Sequence, residues 1–294
     1  MEKKLPFSRK ELQEYLERIS FSPAKKFGQN FLLDENIHKA IVDAADLHPE
    51  DAVLEIGPGL GHLTSYIVGQ TALYWGIEID RKLHSLLERR FSSLPGVKIL
   101  SMDILSSKHE INPAVWEAIE KEIQIRPYKV VANLPYNISA PVISNFLEAA
   151  YPPCLLVVTV QKEVAKRLIA KPGTSDYGPL SVHTQLYGET KEIRHISPHC
   201  FYPAPKVDST VVMIKPHPLH PDISDKNFLF HLVNIAFGMR RKTLYNCLRS
   251  KDSLEKTPED IQKALEKTKI SPERRGETLT LEEWISLANA LHES

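Results

Sequence analysis

Three cysteines in 294 residues, at positions 154, 200 and 247, are too far apart and odd in number for a disulfide framework. That scarcity points to a reducing compartment, and a cytoplasmic location is expected. No sign of charge dominates: 37 Lys and Arg balance 37 Asp and Glu, so net charge selects no anionic partner. Any nucleic-acid surface must come from local clustering. Long apolar runs are missing too. The longest, near residues 155–160, is far too short to cross a bilayer, and residues 1–6 lead into no apolar segment of a signal peptide. No membrane association is expected. There is no internal repeat and no low-complexity tract. No G-K-[ST] follows the glycines near residue 57, which excludes a P-loop. His195, His199 and Cys200 have no second Cys pair and match no zinc spacing, so no metal is expected.

What is present is alternation. Residues 52–56, 72–79, 97–100, 128–132 and 155–160 are apolar and β-branched and predict strands. Helical spacing falls near 62–69, 81–91, 112–124, 139–149 and 162–170. Strand–helix alternation of this kind implies a parallel sheet with helices on both faces, an α/β fold of Rossmann-like type. Before it, Ser8 and Glu11 form a capping-box pattern for a helix over 9–19, and Asp34 is a candidate N-cap for the next helix. Between these helices lies a basic-aromatic loop, Pro23-Ala-Lys-Lys-Phe-Gly-Gln-Asn-Phe-Leu. Two more strands are expected at 190–196 and 209–214. Three prolines in residues 215–221 mark a linker, and the pattern beyond is helical. The expected division is a catalytic domain over 1–215 and a small α-helical domain over 216–294.

The ends of successive strands carry the chemistry. Glu55-Ile-Gly57-Pro-Gly59-Leu-Gly61 follows the first strand and opens a helix, where glycines let the backbone turn tightly and approach a ligand. His62 stands where a dinucleotide fingerprint needs its third glycine. Glu78 ends the second strand and suits two ribose hydroxyls; Asp103 follows the third and can accept from an adenine amino group. Asn133-Leu134-Pro135-Tyr136 follows the fourth. Pro135 holds Asn133 and Leu134 extended, so that the Asn amide oxygen and the Leu134 carbonyl form paired acceptors for an exocyclic amine. Tyr136 offers a flat face on which a base can stack. Four such groups in a row, glycine loop, Glu78, Asp103 and Asn133, indicate an adenosine-bearing cofactor, either NAD or S-adenosylmethionine. The amine clamp decides for S-adenosylmethionine, because hydride transfer has no use for it.

These segments resemble the ribosomal RNA adenine N6,N6-dimethyltransferases of the small subunit, the family whose loss gives kasugamycin resistance in bacteria. The resemblance is carried by Lys26-Phe-Gly-Gln-Asn-Phe-Leu32, Glu55–Gly59, Ile77–Asp80, Asn133–Ser139, Gln161-Lys-Glu-Val164, Pro205-Lys-Val-Asp-Ser209 and Phe237 with Arg240-Arg-Lys-Thr-Leu244. It runs nearly the full length, to Glu277-Thr-Leu279. It implies that Asn30, Leu32, Gly57, Glu78, Asp103 and Asn133 line the cofactor site. It places Asn133, Leu134 and Tyr136 at the reacting amine, with Phe201 flanking the other face of the adenine. It favours RNA phosphate contact by Lys25, Lys26, Arg240, Arg241 and Lys242, clusters that sit beside Phe27 and Phe237. The implied activity is dimethylation of two adjacent adenosines in the 3′-terminal hairpin loop of small-subunit (16S) rRNA, with a role in subunit biogenesis. The partner would be that RNA within an assembling 30S particle, and the enzyme a monomer. The rivals are a large-subunit rRNA methyltransferase of the macrolide-resistance type, a non-catalytic assembly factor and a DNA adenine methyltransferase. The segments at 205–209 and 240–244 favour the small-subunit branch; an intact set of Gly57, Glu78, Asp103 and Asn133 favours an enzyme. A DNA enzyme would more often carry Asp at position 133.

Overall fold

A computed structural model of the protein describes residues 5–108, 110–250, 254 and 256–293. Residues 1–4, the start of the segment read as no signal peptide, lie outside that set. The chain falls into two compact units, residues 1–165 with 190–216, and residues 166–189 with 217–294. The helical unit therefore takes in residues 166–189, which the sequence reading had assigned to the catalytic domain.

The first unit is built on a seven-stranded sheet. Its strands are β1 (Ala52–Ile56), β2 (Leu73–Glu78), β3 (Val97–Ser101), β4 (Tyr128–Asn133), β5 (Leu155–Gln161), β6 (Gly188–Ile196) and β7 (Ser209–Pro216), ordered β3-β2-β1-β4-β5-β7-β6. The five strands expected to be parallel are parallel, while β7 runs antiparallel to β5. The order reverses between β1 and β4, which makes the crevice beyond their carboxyl ends the ligand-binding position of such a sheet. Lys215 and Pro216, read as the start of a linker, instead finish β7.

Helix α1 (Arg9–Arg18) opens with the predicted Ser8–Glu11 capping box. Helix α2 (Glu35–Ala45) starts at Asp34, whose carboxylate accepts from the backbone N–H groups of Asn36 and Ile37. Its buried stripe of Ile37, Ile41 and Ala45 packs against β4, β5 and β7. Each isoleucine so buried contributes roughly 1.5–3 kcal/mol. Helix α4 (Arg81–Phe91), after the short α3 (Thr64–Ile67), covers β2 and β3. The basic-aromatic loop holds a 3-10 turn over Lys25–Phe27. It then forms a two-residue strand, Phe31–Leu32, pairing antiparallel with Phe201–Tyr202. No loop composition announces that ribbon, because its partner is far along the chain.

The helical unit contains Pro179–Tyr187, Lys226–Gly238, Leu244–Leu248, Pro258–Lys267 and Leu281–His292. Trp284 is fully buried in it, and Arg274 binds Glu283 through both guanidinium NH groups. A methyl group on Gly276 would come within 2.9 Å of Ala236 Cβ, so glycine here lets two segments pack closely. Among the described residues no helix is long and apolar enough to cross a membrane.

Candidate active site

The cleft lies where the sheet order reverses. Asn30, Leu32, Gly57, Glu78, Asn133, Leu134 and Tyr136 all line one cavity there. Asp103 lines an adjoining cavity, with Lys26, Ile79, Ile104 and Pro135.

The glycine loop is held in left-handed backbone geometry, φ +66° at Gly57 and +62° at Gly59, which side chains resist. A Cβ on Gly59 would also crowd the Phe31 ring at 3.2 Å. The loop is clamped by the next strand: Gly57 N–H donates to Ile77 O and Gly59 N–H to Glu78 Oε2, both at 2.9 Å. Glu78 Oε1 accepts from Asp80 N–H. Glu78 thus does two jobs. It pins the loop, and its carboxylate keeps lone-pair capacity for a hydroxyl donor. Burial pushes its carboxyl above the usual range, a rise opposed by those backbone hydrogen bonds. Behind it Glu55 is also buried, taking Thr64 Oγ1 and Tyr74 OH on Oε2, and burial lifts it to about 7.

Asp103 is exposed, and its Oδ1 accepts from Leu105 N–H at 3.0 Å, a local turn cap. The other oxygen remains available to an amino group.

Asn133 carries the decisive geometry. Its amide nitrogen donates to the Asn30 carbonyl at 3.2 Å, which fixes the direction of the amide. The amide oxygen is then buried with no hydrogen-bond partner among the described residues. Buried polar atoms are satisfied in the great majority of cases, and an exception of this kind needs a reason. Here the atom lies in a cleft beside buried Leu134, waiting for a donor. Asn30 is itself braced, its side chain donating to Gly28 O at 3.0 Å. Tyr136 is held by a 2.6 Å hydrogen bond between its hydroxyl and Ser209 Oγ, which fixes the ring.

Two expectations need correction. Phe201 is not among the residues that line the two cavities described above. It is fully buried in the core with Leu32, Val131, Val157 and Val211, pairing with Leu32 across the short ribbon. An apolar ring next to a strand is drawn into the nearest core, and stacking on a base would require it to leave. Arg240 is not a free cation. Its guanidinium is engaged by Glu277 and by the Thr174 carbonyl. Arg241 and Lys242 are exposed beside it in the helical unit. Lys25 and Lys26 are exposed, with Lys26 Nζ 4.5 Å from the centre of the Phe27 ring.

The sequence reading missed apolar and aromatic cleft residues, Ile79, Ile104 and Phe27, as well as His38 and His62. Ile79 had a signal, being an apolar residue directly after a strand-ending carboxylate, outside any helical stripe. His38 had none.

The ribosomal RNA adenine dimethylase family profile matches residues 21–293. A ribosomal RNA small subunit methyltransferase A of Alkaliphilus metalliredigens is 40% identical over 274 residues, 92% of this chain and 93% of the relative. One from a Geobacillus species is 41% identical over 281 residues, 95% of each. A dimethyladenosine transferase structure from Plasmodium falciparum shares the fold, with TM-score 0.73 and 22% identity over 87% of this chain and 95% of that one. The 23S rRNA methyltransferase ErmE does so with TM-score 0.64 and 24% identity, over 89% and 99%. With full-length matches of this kind, and with the glycine loop, Glu78 and Asn133 gathered in one cleft, the chain belongs to the ribosomal RNA adenine dimethylase family.

Proposed function

We propose that this protein dimethylates the N6 amines of two adjacent adenosines in the loop of the 3′-terminal hairpin of small-subunit rRNA, acting as a cytoplasmic monomer on an assembling 30S particle. Its family makes it an S-adenosylmethionine-dependent rRNA adenine methyltransferase, and the small-subunit relatives support the address. The observation that carries the chemistry is the orphaned Asn133 oxygen.

The cleft fits the cofactor: a clamped glycine loop, a buried strand-end carboxylate and a vacant acceptor stand together. Gly57, Glu78, Asp103, Asn30 and Leu32 would hold it. S-adenosylmethionine, when bound, supplies an electrophilic methyl group. Adenine N6 is a poor nucleophile because its lone pair is delocalised into the ring. Asn133 Oδ1 and the Leu134 carbonyl would each accept one N–H of that amine, favouring a pyramidal nitrogen with a free lone pair. As the nitrogen gains positive charge, these preorganised dipoles stabilise it. The Tyr136 ring, anchored through Ser209, stacks on the base and adds cation–π attraction. Burial raises the Tyr136 pKa, so the phenol stays neutral at working pH. No general base is required, since the alkylated ammonium loses its proton to water. The base must leave its stack to reach this slot, which is least costly in a loop.

Primer extension on rRNA treated with the enzyme tests the address. Two neighbouring modified adenosines near the 3′ end of the small-subunit RNA are expected; modification confined to large-subunit RNA would overturn it. Two further outcomes follow. Asp103→Ala weakens S-adenosylmethionine binding by about 1 kcal/mol, the low end of a lost hydrogen bond because the carboxylate is exposed. Calorimetry showing unchanged affinity would remove Asp103 from the site. Neutralising Arg241 and Lys242 to Gln lowers RNA affinity and flattens its log–log salt dependence by about 0.7–0.9 per lost phosphate contact. Cofactor affinity stays unchanged. An unaltered slope would show that these residues do not touch phosphate.

A further inference from the structure

Two histidines of the cleft wall have no part in the chemistry above. His62 directly follows the glycine loop, and His38 lies in the first turn of α2. Both line the cavity shared by Asn30, Leu32 and Gly57, and both are almost wholly buried.

Their tautomers are set by backbone carbonyls, which can only accept. His38 Nδ1–H donates to Asp34 O at 2.9 Å, and His62 Nε2–H donates to Pro6 O at 2.8 Å. His38 Nε2 and His62 Nδ1 are then left as lone-pair acceptors. Among the described residues no hydrogen bond engages either atom. The two rings lie 6.0 Å apart at 23°, Phe7 packs edge-on against both, and Tyr66 stacks on His38, so their orientation is fixed. Burial pushes both imidazoles down to about 4. At neutral pH they are acceptors without charge, which a carboxylate cannot use and an ammonium can.

Position identifies which cation. On the reading above, the adenine lies toward Asp103 in the adjoining cavity, the ribose at Glu78 and the transferred methyl near Asn133. The histidines line the Asn30 cavity and not the adjoining one. That end is left for the amino-acid portion of the cofactor, whose α-ammonium carries three N–H donors.

We propose that His38 Nε2 and His62 Nδ1 accept hydrogen bonds from the α-ammonium of S-adenosylmethionine and so build the amino-acid end of the cofactor site. This rests on the cleft being that cofactor's site. The test uses two ligands: S-adenosylhomocysteine, which carries the amino-acid end, and 5′-methylthioadenosine, which lacks it. Calorimetric titration of wild type, His38→Leu and His62→Leu is expected to show S-adenosylhomocysteine weakened about 10-fold in each variant, the value of a hydrogen bond to a charged group. Affinity for 5′-methylthioadenosine should stay within twofold. Equal weakening of both ligands, or of neither, overturns the proposal. Failure of both ligands to bind the wild type overturns the cofactor reading instead. Because a leucine variant can fail to fold, a second measurement uses wild type labelled with 15N-histidine. S-adenosylhomocysteine should shift His38 Nε2 and His62 Nδ1, and 5′-methylthioadenosine should not; unmoved resonances with saturating S-adenosylhomocysteine also overturn it.

Discussion

Asn133→Ala is expected to lower the single-turnover methyl-transfer rate by on the order of 10²–10³, the usual cost of removing one preorganised group at a centre where charge develops. RNA binding should be nearly unchanged. The alanine removes the unpaired buried oxygen and also the amide nitrogen that donates to Asn30 O, so some cofactor affinity should go with it. Rates are therefore compared at saturating cofactor. The two effects separate in Asn133→Asp, which keeps an acceptor but loses the donor to Asn30. A single-turnover rate for Asn133→Ala within a few-fold of wild type would contradict the amine clamp.

Lys129→Met is expected to cost about 3–5 kcal/mol of unfolding free energy, the range for breaking a buried ion pair by removing one partner. Lys129 is the second residue of the fourth strand, where its ammonium donates to the Asp51 carboxylate at 2.7 Å and to the Asp46 carbonyl at 2.6 Å. Both side chains of the pair are nine-tenths buried. Methionine fills the space but leaves the Asp51 charge without a counter-ion. Urea denaturation measures the loss, and Lys129→Met with Asp51→Leu should recover most of it, because an apolar pair of similar volume carries no desolvation penalty. A loss under about 1 kcal/mol for the single change would show that water reaches Asp51.

Lys129 also shows why reading the strand from sequence was easy and reading its energetics was not. Val130, Val131 and Ala132 announce a buried strand whatever the lysine does. Whether that lysine snorkels to water or pairs inside depends on Asp51, 78 residues earlier. Phe201 is a similar case. The family resemblance suggested the cleft, but the core formed by the sheet and the short ribbon claims the ring. The basic run at 240–242 looked uniform, and one of its three cations is consumed by Glu277. The helical unit recruits residues 166–189, although composition changes only near residue 217; Tyr177 OH donates to Leu279 O at 3.0 Å, a contact across 102 residues.

By itself the sequence determined the order of strands and the group at the end of each: glycine loop, Glu78, Asp103 and Asn133. These are local properties, because side-chain periodicity and backbone freedom are set within a few residues. Only the tertiary structure decided which of those groups remain available. The hydrogen bond between Asn133 and Asn30 spans 103 residues, and it leaves one amide oxygen as a vacant acceptor. The bond between Tyr136 and Ser209 spans 73 and makes a loop tyrosine a fixed stacking surface. His38 and His62 become neutral acceptors through burial, which no run of neighbouring residues specifies. A donor or acceptor is spent or spared by partners distant in the chain, so that part of the site exists only once the chain has folded.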